Sequence, residues 1–181
     1  MHKILRNLLV GLFALAATSV NAFAADPENT LVIELKTGSV VIEMLPDLAP
    51  THVARIKELA REGFYDGIVF HRVISGFMAQ TGDPTGTGTS GSGKKLNAEF
   101  SREPYQRGTV GMARSGQVNS ADSQFFIMFG RTPSLDGKYT VWGRVIQGME
   151  HVDSIKKGAP GSGKVTNPDQ MVSVKVLADT Q

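Results

Sequence analysis

Arg72 sits in the run Phe70-His71-Arg72-Val73-Ile74, followed by Phe77, Met78 and a lone amide at Gln80. A guanidinium is permanently charged and presents its donors in a rigid fork. It can hold or polarise a bound group, but it is neither a nucleophile nor a proton shuttle. Buried without a partner it would be costly. Arg72 is therefore either paired inside the protein or placed at the rim of a site, and the pattern alone leaves both readings open. The apolar residues around it are ambiguous in the same way. In "FFIMF" (125–129), alternation puts Phe125 and Ile127 on one strand face and Phe126 and Met128 on the other. Both faces are apolar. If one lines a core, the second must cover a helix or an apolar groove bordered by Arg72.

The more familiar catalytic sets are missing. The chain has no cysteine, and no G-x-S-x-G stretch presents a serine nucleophile. Ser75, Ser115, Ser123 and Ser134 come with no base identifiable from sequence. His52, His71 and His151 lack a partner at metal-ligand spacing, so no metal site is expected. Asp66, Asp83, Asp122 and Asp136 fall in turn-like contexts, where short acidic side chains fold loops. "GTSGSGKK" (88–95) and "GAPGSGKV" (158–165) mimic a phosphate loop, but Lys95 and Val165 stand where a magnesium-binding Ser or Thr belongs. Neither has the strand-to-helix setting, so both read as loops.

The elements that must position Arg72 are short. "LVIELKTGSVVIEML" (31–45) alternates with period two on either side of Thr37-Gly38 and predicts a hairpin. "APTHVARIKELAREG" (49–63) switches to helical period, with Pro50 in the first turn and Gly63 at the end. Strand-like runs follow at 68–73, 77–82, 109–113, 125–129 and 140–146. A second helix is predicted over 148–157 and a last strand over 171–178. "TGTGTSGSG" (85–93) reads as a flexible surface loop within the domain. Many short strands with glycine-rich turns and two helices predict a mainly β fold, an antiparallel barrel with helical caps, closed or nearly so.

The first 24 residues read as a signal peptide. His2, Lys3 and Arg6 form a basic start, Leu8 to Val20 an apolar run too short to span a bilayer, and Ala22-Phe23-Ala24 a cleavage site. Cleavage after Ala24 leaves residues 25–181 as one domain. The leader holds two of the 19 Lys and Arg residues and none of the 17 Asp and Glu, so 17 of each remain. With no basic run left, nucleic acid is a poor partner. Without cysteine the exported domain must stand on its core, which about 157 residues can do by burying roughly 70% of the unfolded chain's surface.

"FHRVISGFMAQTGDPTGTG" resembles the signature segment of the cyclophilin-type peptidyl-prolyl cis-trans isomerases. "GTVGMARSG…NSADSQFFIMF", "LDGKYTVWGRV" and "GMEHVDSI" continue the likeness in family order, over about Leu31 to Leu177. The resemblance implies an eight-stranded antiparallel closed barrel capped by two α-helices, with its site in a groove on the outside. It implies Arg72 as the catalytic residue and Phe77, Met78, Phe126 and Leu135 as the proline pocket. Gln80 and Gln124 match its groove glutamines, and Ala113 matches a backbone-contacting alanine. Arg114 stands where an asparagine is common, Ser134 where a tryptophan is common, and Tyr139 where a histidine is common. The tyrosine resembles the bacterial variant.

The activity so implied is rotation about X–Pro bonds in proline-containing polypeptides, among them unfolded or folding exported proteins. It needs no cofactor and no covalent intermediate. A monomer in the periplasm is expected, with no membrane attachment after cleavage and weak cyclosporin binding because of Ser134. The alternative class is a peptide-binding chaperone or adhesion partner that keeps the groove and does little chemistry.

Overall fold

The computed structural model describes residues 26–180, so the predicted leader lies outside the described residues. Eight strands form one sheet: β1 (Thr30–Leu35), β2 (Gly38–Met44), β3 (Arg72–Ile74), β4 (Met78–Thr81), β5 (Thr109–Met112), β6 (Phe125–Met128), β7 (Val141–Gln147) and β8 (Ser173–Val176). Their order is β3-β4-β6-β5-β7-β2-β1-β8, and every neighbouring pair is antiparallel. Two helices join them, α1 (Pro50–Arg61) and α2 (Met149–Ser154).

The hairpin β1–β2 turns at the predicted Thr37-Gly38, with Leu35 opposite Gly38. Its inward residues Leu31, Ile33, Val40, Ile42 and Met44 are buried, as the alternation requires. Helix α1 lays Val53, Ile56, Leu59 and Ala60 on this core. Its first turn is satisfied from a distance: Glu99 accepts from the backbone N–H groups of Thr51 and His52, and pairs with His52 Nδ1 at 2.6 Å. A carboxylate there meets both the orphan N–H groups and the positive end of the helix dipole.

Several expectations need correction. The barrel is not closed: the sheet curls through 205° and remains open between β3 and β8. Among the described residues that gap is crossed by the isolated bridges Val69–Gln170 and Arg72–Lys164 and by scattered backbone hydrogen bonds, among them Phe70 N–H to Asp169 O and Val165 N–H to His71 O, but by no continuous ladder. The chain facing β3 there is "GAPGSGKVTNPD" (158–169), whose prolines and glycines cannot sustain a strand ladder. For the same reason β3 is reduced to Arg72–Ile74. Helix α2 spans only Met149–Ser154, because Ile155 takes an extended conformation with ψ 133°. The last strand stops at Val176, and a 3-10 turn over Leu177–Thr180 follows.

The loop predicted to be flexible is anchored by two buried carboxylates. Asp83 accepts from the N–H groups of Thr85, Gly88 and Ser90, and Asp122 from those of Ser92 and Gly93. The donors a phosphate would need are thus already occupied. Burial alone would raise the pKa of Asp83, but these hydrogen bonds outweigh it and hold the carboxyl far below the usual range.

Two apolar clusters lie on opposite sides of the sheet. Phe125 and Ile127 join the inner core with Trp142, while Phe126 and Met128 join Met78, Tyr105 and Val141 on the outside. Gly111 of β5 lets the outer cluster close. A Cβ there would press on the Tyr105 hydroxyl and lie 2.7 Å from Tyr105 Cε1 and 2.8 Å from Phe126 Cζ. Gly111→Ala should therefore lower stability by about 1–3 kcal/mol, the usual cost of overpacking. Gly116→Ala, with nothing within 4 Å of the new carbon, should stay within about 0.5 kcal/mol. Chemical denaturation of the two variants checks this; equal stability would remove the steric role given to Gly111.

Candidate active site

One row of paired residues crosses the sheet. Arg72 faces Gln80, Gln80 faces Phe126, and Phe126 faces Gly111. Directly paired residues on neighbouring strands project to the same side of a sheet. The register therefore sets a guanidinium, an amide and an aromatic ring side by side on the outer face. The next row on that face runs Ile74, Met78 and Met128.

Arg72 is half-buried, and of the two readings of its position the structure selects the rim. Its Nε donates to Ser162 O at 3.3 Å, and its Nη1 donates to Gln80 Oε1 at 3.1 Å, with Met78 Sδ at 4.0 Å. These partners are all neutral. Gln80 Nε2 donates in turn to Gln124 Oε1 at 2.9 Å, and Gln124 Nε2 to Ser90 O at 2.8 Å. The relay has a fixed direction. Only the amide NH₂ of Gln124 can donate to a carbonyl, which turns its oxygen toward Gln80 and the oxygen of Gln80 toward Arg72.

Beside Arg72 lies a cavity of about 120 Å³. Phe77, Met78, Phe126 and Leu135 give its apolar walls, and Gln80, Ala113, Arg114 and Tyr139 complete the lining. Phe126 forms its floor, stacked on Tyr105 at 5.6 Å and set edge-on to Tyr139 at 5.9 Å. Leu135 reaches the cavity from the 3-10 turn Pro133–Leu135. Arg114 lies over the Tyr139 ring at 4.6 Å and donates to Lys138 O and Ser115 O, so its charge is turned along the rim.

Two expected site residues stand outside this cavity. Gln124 lines the adjoining polar cavity of about 430 Å³, with Ser90, Arg114 and Gln80. Ser134 is exposed on the turn next to Leu135 and lines neither cavity. Sequence reasoning passed over Tyr105, Gly111 and Ser162. Gly111 carried a signal, since a glycine inside a strand marks close approach. Tyr105 and Ser162 lie far along the chain from Phe126 and Arg72 and carried none.

His71 is buried against the loop, and neither ring nitrogen has a hydrogen-bond partner among the described residues. Burial is the main influence and lowers its pKa; nearby Asp83 opposes the shift and Arg72 adds to it. The imidazole is therefore neutral near pH 7. In chemical terms the groove offers an apolar slot of small size, a permanent charge at its edge, and amides that can hold an extended backbone. It offers no activated nucleophile.

Known proteins share this arrangement of strands. The family described as cyclophilin type peptidyl-prolyl cis-trans isomerase/CLD matches residues 30–176. A probable peptidyl-prolyl cis-trans isomerase of Brucella suis is 56% identical over 173 residues, 88% of each chain. The crystal structure of the cyclophilin AquaCyp293 from Hirschia baltica superposes with a TM-score of 0.77 at 30% identity, over 86% of this chain and 76% of that one. A cyclophilin-type isomerase of Cryptosporidium parvum, crystallised in the presence of the dipeptide Ala-Pro, gives a TM-score of 0.74 at 28% identity, over 81% of this chain and 98% of that one. The matched residues run from the first strand of the sheet to the last and enclose the whole groove, so this chain belongs to the cyclophilin-type peptidyl-prolyl cis-trans isomerases.

Proposed function

We propose that this isomerase acts on X–Pro bonds of exported polypeptides by stabilising the twisted amide with Arg72, while Phe77, Met78, Phe126 and Leu135 grip the proline ring. The carrying observation is that Arg72 borders an apolar, proline-sized cavity with only neutral protein partners. Amide resonance sets a rotation barrier of about 18–20 kcal/mol. In the twisted state the nitrogen lone pair is localised, and a guanidinium placed there binds that state better than the planar one. Burial of the ring excludes water and strengthens the hydrogen bond. Gln80, Gln124 and Ala113 hold the backbone, and Arg114 and Tyr139 wall the groove. No bond is made or broken, so neither cofactor nor covalent intermediate is required.

A cis–trans exchange assay on a short X–Pro peptide tests this. Arg72→Ala removes a charged hydrogen bond of about 1.5–3 kcal/mol and should lower kcat/KM about 10- to 150-fold. The fold should survive, because no buried carboxylate loses its partner. Turnover should also vary less than about twofold between roughly pH 6 and 8, since the cavity beside Arg72 is lined by apolar side chains, an amide, guanidinium groups and a tyrosine, with no histidine or carboxylate among them, and EDTA should leave it unchanged. A wild-type protein no faster than the uncatalysed reaction, with peptide binding intact, would favour the peptide-binding chaperone instead.

Export rests on the order of basic start, apolar run and Ala22-Phe23-Ala24. Under this reading the enzyme is a periplasmic monomer working on chains that fold after export, free of the membrane once its leader is gone. Mass spectrometry of the exported protein should find its N-terminus at Ala25 or a residue or two beyond; a mature chain still beginning at Met1 contradicts the assignment.

Cyclosporin should bind weakly. Ser134 occupies the place of the tryptophan common in the family, and keeps a hydroxyl but no broad apolar face. Losing the indole hydrogen bond costs about 0.5–1.5 kcal/mol and the ring contact about 1.5–3 kcal/mol. The combined effect, about 2–4 kcal/mol, weakens binding roughly 30- to 1,000-fold. Ser134→Trp should recover much of that affinity with little change in turnover, because Ser134 lies outside the cavity that holds the proline. Titration calorimetry decides: tight binding by the unaltered protein refutes the role given to Ser134.

A further inference from the structure

Arg72 divides two cavities. On its other side from the proline slot lies a larger one, about 580 Å³, which shares Arg72 and Gln80 with the slot. Its remaining walls come from the Gly86-Thr87-Gly88 loop and from Ser162, Lys164 and Val165, with His71 behind. Two features give it a chemical preference. Its lining contains two cations, Arg72 and Lys164, and no carboxylate. Lys164 is exposed, and its Nζ has no hydrogen-bond or ion-pair partner among the described residues. Asp83, which precedes the Gly86-Thr87-Gly88 wall, is buried and held by the N–H groups of Thr85, Gly88 and Ser90. The neutral His71 ring adds no charge of its own. The hydroxyl of Ser162, on an exposed residue, supplies a further donor at the mouth.

The loop geometry keeps the cavity open. Gly86 and Gly88 have φ of 67° and 84°, a region that disfavours side chains. A Cβ at Gly88 would also approach His71 Nε2 to 3.2 Å. The wall is bare backbone at that point. Opposite it, the bridge between Arg72 and Lys164 ties the two cation-bearing segments together.

We propose that this cavity is a subsite for a carboxylate-bearing side chain of the substrate, an Asp or Glu close in sequence to the proline, and that Lys164 sets the preference. The inference rests on the isomerase reading, because it takes the proline to occupy the slot beside Arg72. The two cavities share a wall, and an extended peptide advances about 3.3 Å per residue. A side chain two or three residues from the proline therefore reaches the cavity. Arg72, facing both spaces, orients the carboxylate while its fork remains beside the X–Pro bond.

The test uses eight-residue peptides with one central Ala-Pro, carrying Glu or Gln at the second or third position on either side of the proline. Exchange is measured by NMR for wild type, Lys164→Gln and Lys164→Glu. At one of those positions the Glu peptide should exceed its Gln counterpart in kcat/KM by about two- to fivefold, the range of a partly exposed ion pair. The ratio should shrink as salt is raised to about 0.5 M, fall to about one in Lys164→Gln, and drop below one in Lys164→Glu. Backbone amide shifts of Thr87 and Val165 should move more with the Glu peptide. Equal turnover of every Glu and Gln pair, with all of them accelerated, overturns the subsite and leaves the isomerase reading standing. So does a preference that persists in Lys164→Gln. Failure to accelerate any peptide overturns the isomerase reading first, and the subsite with it.

Discussion

Both faces of β6 are apolar, and the site follows from how the second face is covered. The inner face meets α1 and the strands across the core, so Phe125 and Ile127 disappear into it. The outer face has no helix available. Phe126 and Met128 are covered instead by Met78, Tyr105 and Val141, with Phe77, Leu135 and Tyr139 only partly buried at the margin. That incomplete cover is the cavity. An apolar cluster closed on all sides would be ordinary core, whereas one left open beside a guanidinium can accept a ring from another chain. Gly111 is central to this geometry. It removes one side chain from the face, and Tyr105 and Phe126 stack at the space so created.

Electrostatics divides the same surface into fixed and free charges. Arg107 is paired with Asp153 and Arg131 with Asp136, and each gains a raised pKa from that hydrogen-bonded carboxylate. Asp83 and Asp122 are occupied by the loop they organise. Arg72 is held by a carbonyl and an amide oxygen, partners that position the group without cancelling its charge. In a partly dry groove an uncancelled charge acts more strongly than it would in water. The glutamine relay adds direction, because Ser90 O at one end determines which atom Gln80 presents to Arg72 at the other.

Much of this was legible in local pattern. Period-two alternation located the 31–44 hairpin, the change to helical period located α1, and the double-faced run at 125–129 pointed to an outer apolar surface before any strand was placed. Arg72, Gln80, Phe77, Met78, Phe126, Leu135 and Tyr139, which the motifs singled out, line one cavity. The failures were of long range. Closure of a barrel depends on the pairing of β3 with a segment some 90 residues later, and composition there, rich in glycine and proline, argued against a ladder more strongly than the strand count argued for one. The 85–93 loop read as flexible because its anchors are not within it: Asp83 precedes it and Asp122 follows 30 residues after Ser92. Tyr105 and Ser162 likewise reach the site only through the fold. Gln124 and Ser134 belong to neighbouring surfaces and not to the slot itself, a distinction of a few ångströms that a motif does not carry.

Magnitudes show why so much scaffold surrounds one charge. A million-fold acceleration requires about 8 kcal/mol, while a single charged hydrogen bond contributes about 1.5–3 kcal/mol. Under the proposed mechanism the larger share comes from holding the peptide part-twisted, which calls for a rigid groove, since a displacement of about 1 Å can cost about 100-fold in rate. The structure places its constraints accordingly. Four residues share one register row across β3, β4, β6 and β5; the relay fixes two amides; and stacked rings fix the floor. None of these constraints requires a group to gain or lose a proton. A reaction that breaks no covalent bond can thus be catalysed by shape and a permanent charge, with the titrating residue nearest to it, His71, kept neutral by burial behind the strand that carries Arg72.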